Sequence, residues 1–133
     1  MASQAQIDAF VGSWKFDSEI LKADCGAVFP GLQQDLKGTV LTLARATGAD
    51  ITATLSDTCS ITFTVGGTTA TAKAKQTCTL VVGQAGPQEI AVTSWTLTTT
   101  DGMSMSTAQS GTAAMALCAV TGSGMLTKQP AGG

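Results

Sequence analysis

The sequence predicts a small all-β protein: an eight-stranded antiparallel up-and-down barrel with one or two short helices. Threonine alternates with apolar residues repeatedly along the 133-residue chain, which is the period-two pattern of strands with one wet face. Turn signals separate these runs about every ten residues, a spacing typical of barrels and sandwiches. A closed barrel leaves no unpaired strand edge, so we prefer it to the alternative, a β-sandwich.

Eight strands follow from the alternation and the turns. The pattern is clearest in residues 60–65, and Gly66-Gly67 after them is predicted to form a two-residue hairpin turn. Strict alternation in residues 91–98 predicts one face formed by Ala91, Thr93, Trp95 and Leu97. The predicted strands are residues 12–21, 38–46, 50–56, 59–65, 68–82, 88–100, 103–109 and 113–128.

Two short segments have helical spacing. Residues 3–10 place two apolar side chains three residues apart, behind a capping Ser3. Residues 30–37 begin with Pro30 and place two leucines four residues apart. We therefore expect a helix before the first strand and a second helix between the first two strands.

Composition limits the partners and the organisation of the chain. Charged residues make up 12% of it, the net charge is −2, and the seven basic residues are scattered, so we expect no nucleic-acid partner. No apolar run reaches the length of a membrane span. Residues 1–6 lack the features of a signal peptide, so either a leader has been removed or the protein is intracellular. Residues 1–128 are predicted to form one domain and residues 129–133 a disordered tail.

Four cysteines and no histidine favour two disulfides over free thiols or a zinc site. Of the three pairings we expect Cys59–Cys78, around the glycine hairpin, and then Cys25–Cys118 by exclusion. A strict two-residue turn puts Cys59 opposite Ala74, four residues short of Cys78, so the pairing requires a bulge or a bend. Disulfides in turn predict a secreted, periplasmic or cell-surface protein.

Groups for catalysis are scarce. The chain has no histidine and no tyrosine, which excludes a Ser-His-Asp arrangement. Asp17 and Glu19 share a predicted wet face with Lys15, opposite the face of Trp14 and Phe16. We expect no enzyme activity, no cofactor and no metal site, with a small barrel isomerase or a two-carboxylate hydrolase as the alternative.

Five residues are candidates to line a pocket inside the barrel. Trp14 and Trp95 would form an aromatic wall, and Met103 with Met105 an adaptable apolar lining. Arg45, the single arginine, lies on the inward face by alternation and would hold a carboxylate. The alternatives are core packing for the tryptophans and methionines, and a solvent-facing strand end for Arg45.

Residues 7–16, Ile-Asp-Ala-Phe-Val-Gly-Ser-Trp-Lys-Phe, resemble the opening of the calycins, most closely the fatty-acid-binding proteins and also the lipocalins. In that superfamily a Gly-x-Trp on the first strand packs across the barrel base, and here it is Gly12-Ser13-Trp14. The resemblance implies an eight-stranded barrel. The Arg-x-Tyr by which fatty-acid-binding proteins hold the ligand carboxylate has no counterpart in this chain. The ending Gly124-Met125-Leu126-Thr127-Lys128 is loosely similar to the end of avidins.

These observations together predict an extracytoplasmic barrel that binds a small apolar molecule in its interior. The alternative is a structural or surface interaction module with a packed interior and no ligand. A cavity of several hundred Å³ inside the barrel would favour the first hypothesis, and an interior filled by side chains would favour the second.

Overall fold

A computed structural model of the protein describes residues 4–24, 32–48, 50–56, 58–73, 75–81, 87–113 and 118–129. Within these ranges the chain forms one helix, α1 (Gln4–Phe10), and ten strands. The strands are β1 (Gly12–Asp24), β2 (Leu32–Asp35), β3 (Val40–Arg45), β4 (Asp50–Ser56), β5 (Cys59–Gly66), β6 (Thr69–Ala72), β7 (Gln76–Val81), β8 (Pro87–Thr98), β9 (Ser104–Ala113) and β10 (Cys118–Lys128). Of the predicted tail, residues 129–133, Gln129 donates its backbone N–H to the carbonyl of Ser13 at 2.8 Å, and residues 130–133 lie outside the described residues.

The strands form one closed antiparallel barrel. Around the barrel the order is β1, β3, β4, β5, β6, β8, β9 and β10, and β10 pairs with β1 to close the sheet. β2 pairs with the second half of β1, and β7 continues the line of β6 along β8. Because each of these eight strands pairs with the next of the eight along the chain, the barrel is of the up-and-down type. The predicted eight-stranded barrel is thus confirmed, and the sandwich alternative is wrong.

Helix α1 forms where the first helix was predicted and closes one end of the barrel. Its two apolar side chains, Ile7 and Phe10, are buried in the core. The indole nitrogen of Trp14 donates a hydrogen bond of 2.8 Å to the carbonyl oxygen of Phe10, which ties the helix to the first strand.

The second predicted helix, residues 30–37, is wrong. Leu32–Asp35 is the strand β2, paired with Ile20–Ala23 of β1. β1 has 13 residues, and β3 pairs with it only over Gly12–Lys15. If residues 32–35 formed a helix, the second half of β1 would lose its hydrogen bonds to β2. Backbone groups in a barrel wall need such partners. The four-residue leucine spacing fits a strand as well, because four is also a multiple of two.

Two bulges change which residues face inward. In β1 an extra residue, Asp17, stands between the pairs Phe16–Leu126 and Ser18–Met125. In β8 an extra Thr93 stands between the residues that pair with β9. One extra residue moves all later side chains to the opposite face. The predicted face of Ala91, Thr93, Trp95 and Leu97 is therefore wrong in its first half: Ile90 and Trp95 are buried, and Ala91 and Thr93 are exposed.

Side chains fill the half of the barrel that α1 closes. Trp95 packs edge-on against Phe63, with ring centroids 5.1 Å apart, and its indole nitrogen donates a 2.8 Å hydrogen bond to the hydroxyl of Thr107. The bond satisfies the one polar atom of the buried indole. The largest fully buried side chains are Trp14, Trp95, Phe10, Phe16, Phe63, Ile7, Leu41, Leu43, Ile51, Ile61 and Leu97.

The hairpin between β5 and β6 turns one residue later than predicted. Gly66 pairs with Thr69, so the two loop residues are Gly67 and Thr68 rather than Gly66 and Gly67. Gly67 has a φ of 62°, a left-handed conformation that favours glycine. This register moves the position opposite Cys59 two residues closer to Cys78.

The hairpin register accounts for two of the four residues between the expected partner of Cys59 and Cys78. A bulge between β6 and β7 accounts for the other two. Lys73 donates its backbone N–H to the carbonyl of Thr62, and Thr79 donates its backbone N–H to the carbonyl of Thr58. Six residues on one side therefore match four residues on the other. The side-chain amide of Gln76 fills the gap, because it accepts from the N–H of Thr62 and donates to its carbonyl, each at 2.8 Å.

The predicted Cys59–Cys78 disulfide is present. The two Cα atoms are 4.4 Å apart, and both residues belong to the buried core. The bulge that this pairing required lies opposite Cys59, on the β6–β7 side. Cys25 lies outside the described residues, so the Cys25–Cys118 disulfide stays a prediction.

Candidate functional site

The five candidate pocket residues do not come together in one cavity. Trp14, Trp95 and Met105 are 0%, 1% and 1% exposed, so they form part of the packed core. Met103 precedes β9 at the rim of the barrel and is 59% exposed. Arg45 ends β3 and is exposed as well.

Trp14 lies at the barrel base, below α1. The ammonium group of Lys128, opposite Trp14 on β10, lies 5.4 Å from the centroid of the indole ring. At this distance a cation is attracted to the negative face of the ring. Trp14 therefore joins the first strand, the last strand and the helix, which is the position implied by the calycin resemblance.

Arg45 holds the helix rather than facing the barrel interior. Its guanidinium forms an ion pair with the carboxylate of Asp8 and donates a long bond of 3.4 Å to the carbonyl of Gln4. Both charged side chains are exposed, at 38% for Arg45 and 61% for Asp8. Exposed pairs of this kind are worth little individually, so the buried apolar side chains of α1 do most to hold the helix in place.

Two carboxylates have pKa values shifted by their partners. Asp50 is bonded to Lys73, which lowers its pKa, and accepts a second bond of 3.0 Å from the hydroxyl of Thr64. The backbone N–H groups of Ser104 and Met103 donate to Asp101 and lower its pKa. Both shifts keep the carboxylate ionised, unlike the raised pKa of a general acid. Among the described residues there is no group of three or more cysteines, aspartates or glutamates placed to hold a metal ion.

Small hydroxyl side chains cover much of the outer face of the barrel. Neighbouring strands bring them into contact across the sheet, as in Thr54 with Ser60 at 3.1 Å and Thr93 with Ser110 at 3.1 Å. β-branched and hydroxyl residues suit the solvated side of a sheet. This surface explains the threonine alternation without a role in ligand binding.

One concave feature lies on this outer face, where β1 meets β10. It is an open groove of about 480 Å³. We call it the seam groove, and it is lined by Ser18, Ile20, Lys22, Thr121, Gly122 and Ser123. Residues directly opposite each other on paired strands share a face. Ser18 and Lys22 pair with the exposed Met125 and Thr121, whereas the neighbouring Leu126 and Val120 are buried. The groove therefore lies outside the barrel.

Sequence reasoning missed the seam groove because of the bulge at Asp17. Strict alternation from Trp14 places Ser18, Ile20 and Lys22 on the inward face, whereas the bulge turns them outward. A signal was present: Lys22 would be a lone cation on a core face. Lysines are almost never fully buried without a partner.

Comparisons of the chain with models of known protein families, with curated proteins and with solved structures found no match. The fold agrees with a calycin-like barrel, but membership of the calycins stays a proposal. The described part of the chain contains no helix long and apolar enough to cross a membrane.

Proposed function

We propose that the protein is a non-catalytic module of an oxidising compartment that acts through the outer surface of a packed barrel. The observation that carries this proposal is the burial of the interior side chains. Trp14, Trp95 and Met105, the residues best suited to line a ligand cavity, pack against the core instead, at 1% exposure or less. The seam groove, a concave site among the described residues, lies outside the barrel.

Neither of the two shifted carboxylates favours a role as a general acid. Asp50 and Asp101 are each engaged by donors that lower the pKa, so each stays an anion at neutral pH. A carboxyl group that served as a general acid would need a raised pKa.

The compartment is proposed from the Cys59–Cys78 disulfide. Its cysteines are 1% and 5% exposed, and they join β5 to β7. Buried disulfides persist in oxidising environments and are rare in the cytosol. The proposed location is accordingly secreted, periplasmic or cell-surface.

A second candidate function keeps the small apolar ligand inside the barrel. It is favoured by two glycines of β10, Gly122 and Gly124, which pair with the inward-facing Gln109 and Thr107. Positions without side chains on the inner wall leave room that a ligand would fill. The site would lie beyond Met105, away from α1.

Native mass spectrometry of the oxidised protein, purified without detergent, tests the two functions against each other. The packed barrel is expected to have the mass of the chain alone, 13.3 kDa. A bound molecule that is released on unfolding, and that a Gly124→Leu substitution excludes, would contradict the proposal and support the interior ligand.

A further inference from the structure

We infer that the seam groove binds small amphipathic anions, molecules with an apolar chain and one carboxylate. This inference rests on the proposed action through the outer surface and names the chemistry of its ligand. The groove of about 480 Å³ is within the size range of small-molecule sites, about 300–1,000 Å³.

The apolar part of the site is Ile20, which lines the groove, together with Met125, an exposed residue just outside the lining. Ile20 is 43% exposed and Met125 is 44% exposed, although both are large hydrophobic residues. Met125 lies opposite Ser18, so Ile20 is its diagonal neighbour, at roughly 7–8 Å across the ladder. A methionine beside an isoleucine forms an adaptable apolar contact for an alkyl chain.

The charged part is Lys22, at one end of the groove. Within the described residues the ion pairs are those of Arg45 with Asp8 and Lys73 with Asp50, so Lys22 has no anion there. In the described part of the chain it is therefore an unpaired cation, on a protein of net charge −2. The groove-lining residues beside Lys22 include the hydroxyl residues Ser18, Thr121 and Ser123, which are able to donate hydrogen bonds to a carboxylate.

Two carboxylates near the groove, Asp17 and Asp35, accept hydrogen bonds from groups outside it. Asp17, in the bulge of β1, accepts a hydrogen bond from the hydroxyl of Thr127. Asp35, which pairs with Ile20 on the β2 side, accepts the backbone N–H of Lys37 at 2.9 Å. Neither of these two bonds involves Lys22.

The closed sheet argues for a small molecule rather than an extended peptide. β1 is paired with β10 on one side, except at Ile20 and Leu21, and with β2 and β3 on the other. A peptide that adds a strand needs an unpaired edge of several residues, which two unpaired positions do not supply.

Methyl-resolved NMR of the intact oxidised protein, titrated with octanoate and separately with octan-1-ol, tests the inference. Octanoate is expected to shift the methyl signals of Ile20 and Thr121, outside the barrel. The signals of Ile61 and Leu97, inside it, are expected to stay. Octan-1-ol has the same alkyl chain without the charge, so it is expected to bind more weakly.

Two variants and a control assign the chemistry. Lys22→Gln is expected to weaken octanoate binding about threefold, the size of one exposed ion pair, and to leave octan-1-ol unchanged. Ile20→Ser is expected to weaken both ligands. Lys37→Gln, another exposed lysine, is expected to change neither.

Three results would overturn the inference. Equal octanoate affinity in Lys22→Gln and the parent protein would show that the groove does not read charge. An absence of shifts would show that the groove is not a binding site. The packed-barrel proposal would still be tested by native mass spectrometry. Shifts confined to Ile61 and Leu97 would overturn both, since the ligand would then lie inside the barrel.

Discussion

At Gly111 on β9 the packing leaves no room for a side chain. A Cβ atom at this position would lie 2.5 Å from the carbonyl oxygen of Ala91 and 3.0 Å from a methyl group of Ile90. Both neighbours are on β8, the strand paired with β9, so the contact cannot be relieved by a side-chain rotation alone. The close approach of two backbones requires glycine here.

We predict that Gly111→Ala destabilises the barrel by about 1–3 kcal/mol, the usual cost of overpacking. Gly66→Ala is the matched control, because a Cβ there meets nothing within 4 Å. The control is expected to be neutral or stabilising by up to about 1 kcal/mol. Urea unfolding measures both, and equal stability of the two variants would contradict the packing described for β8 and β9.

Asp101 shows how a loop carboxylate contributes to stability. Its oxygen accepts the backbone N–H groups of Met103 at 2.8 Å and Ser104 at 2.9 Å, which bend the chain into β9. These donors bind the ionised form, so they lower the pKa of Asp101 in the folded protein. The stabilisation is present above the pKa of the unfolded chain and is lost as the pH falls through the lower folded pKa.

We predict that the carboxyl carbon of Asp101 titrates below the ordinary aspartate pKa of about 3.9 in the folded protein and near it in urea. Carbon-detected NMR across the acid range measures both midpoints. Identical midpoints in the folded and unfolded chains would contradict the turn geometry.

At the scale of elements, the bent strand formed by β6 and β7 depends on one side chain. The amide of Gln76 bonds to the N–H and carbonyl of Thr62 and to the carbonyl of Lys73, at 2.8, 2.8 and 2.9 Å. It therefore replaces the backbone of a missing ladder residue. Lys75 beside it has a φ of 62°, which is uncommon for a residue with a side chain.

We predict that Gln76→Met costs about 1–3 kcal/mol, because it leaves the N–H of Thr62 without its partner. Gln129→Met is the control, since that amide makes an exposed bond to the nearby carbonyl of Thr127. Guanidinium unfolding measures the free energy of unfolding of both variants. A Gln76→Met variant as stable as the control would mean that water satisfies Thr62 equally well.

The sequence predicts most of the strands because period-two alternation survives along much of their length. It fails where one extra residue enters a strand, as at Asp17 and Thr93, because no local pattern records a bulge. The same limit hid the seam groove, whose residues Ile20 and Lys22 change face at the bulge. Residues 30–37 were misread because leucines four apart fit a helix and a strand alike.

The cysteines illustrate what topology adds to a sequence prediction. The Cys59–Cys78 pair was predictable from the hairpin between them, and the need for a bulge was visible from counting residues. The position of that bulge was not predictable, because it depends on Gln76 reaching across to β5. Side-chain bonds of this kind are made in the folded state only.

For the whole molecule, barrel closure decides where the protein can act. Closure removes strand edges, α1 covers one end, and the interior of that half is filled by large side chains that include Trp14, Trp95 and Phe63. In the proposed function, recognition takes place on the outer wall, where the exposed Ile20, Met125 and Lys22 lie among hydroxyl side chains. The packed interior is therefore the central claim on which the proposed function depends.

A crystal of the oxidised protein pressurised with xenon tests that claim most directly, because xenon enters dry apolar cavities. We predict that no xenon atom binds inside the barrel between Trp95, Met105 and Leu126, or beside Gly122 and Gly124. An ordered xenon atom at either place would contradict the packed interior and return the barrel to the class of interior ligand carriers.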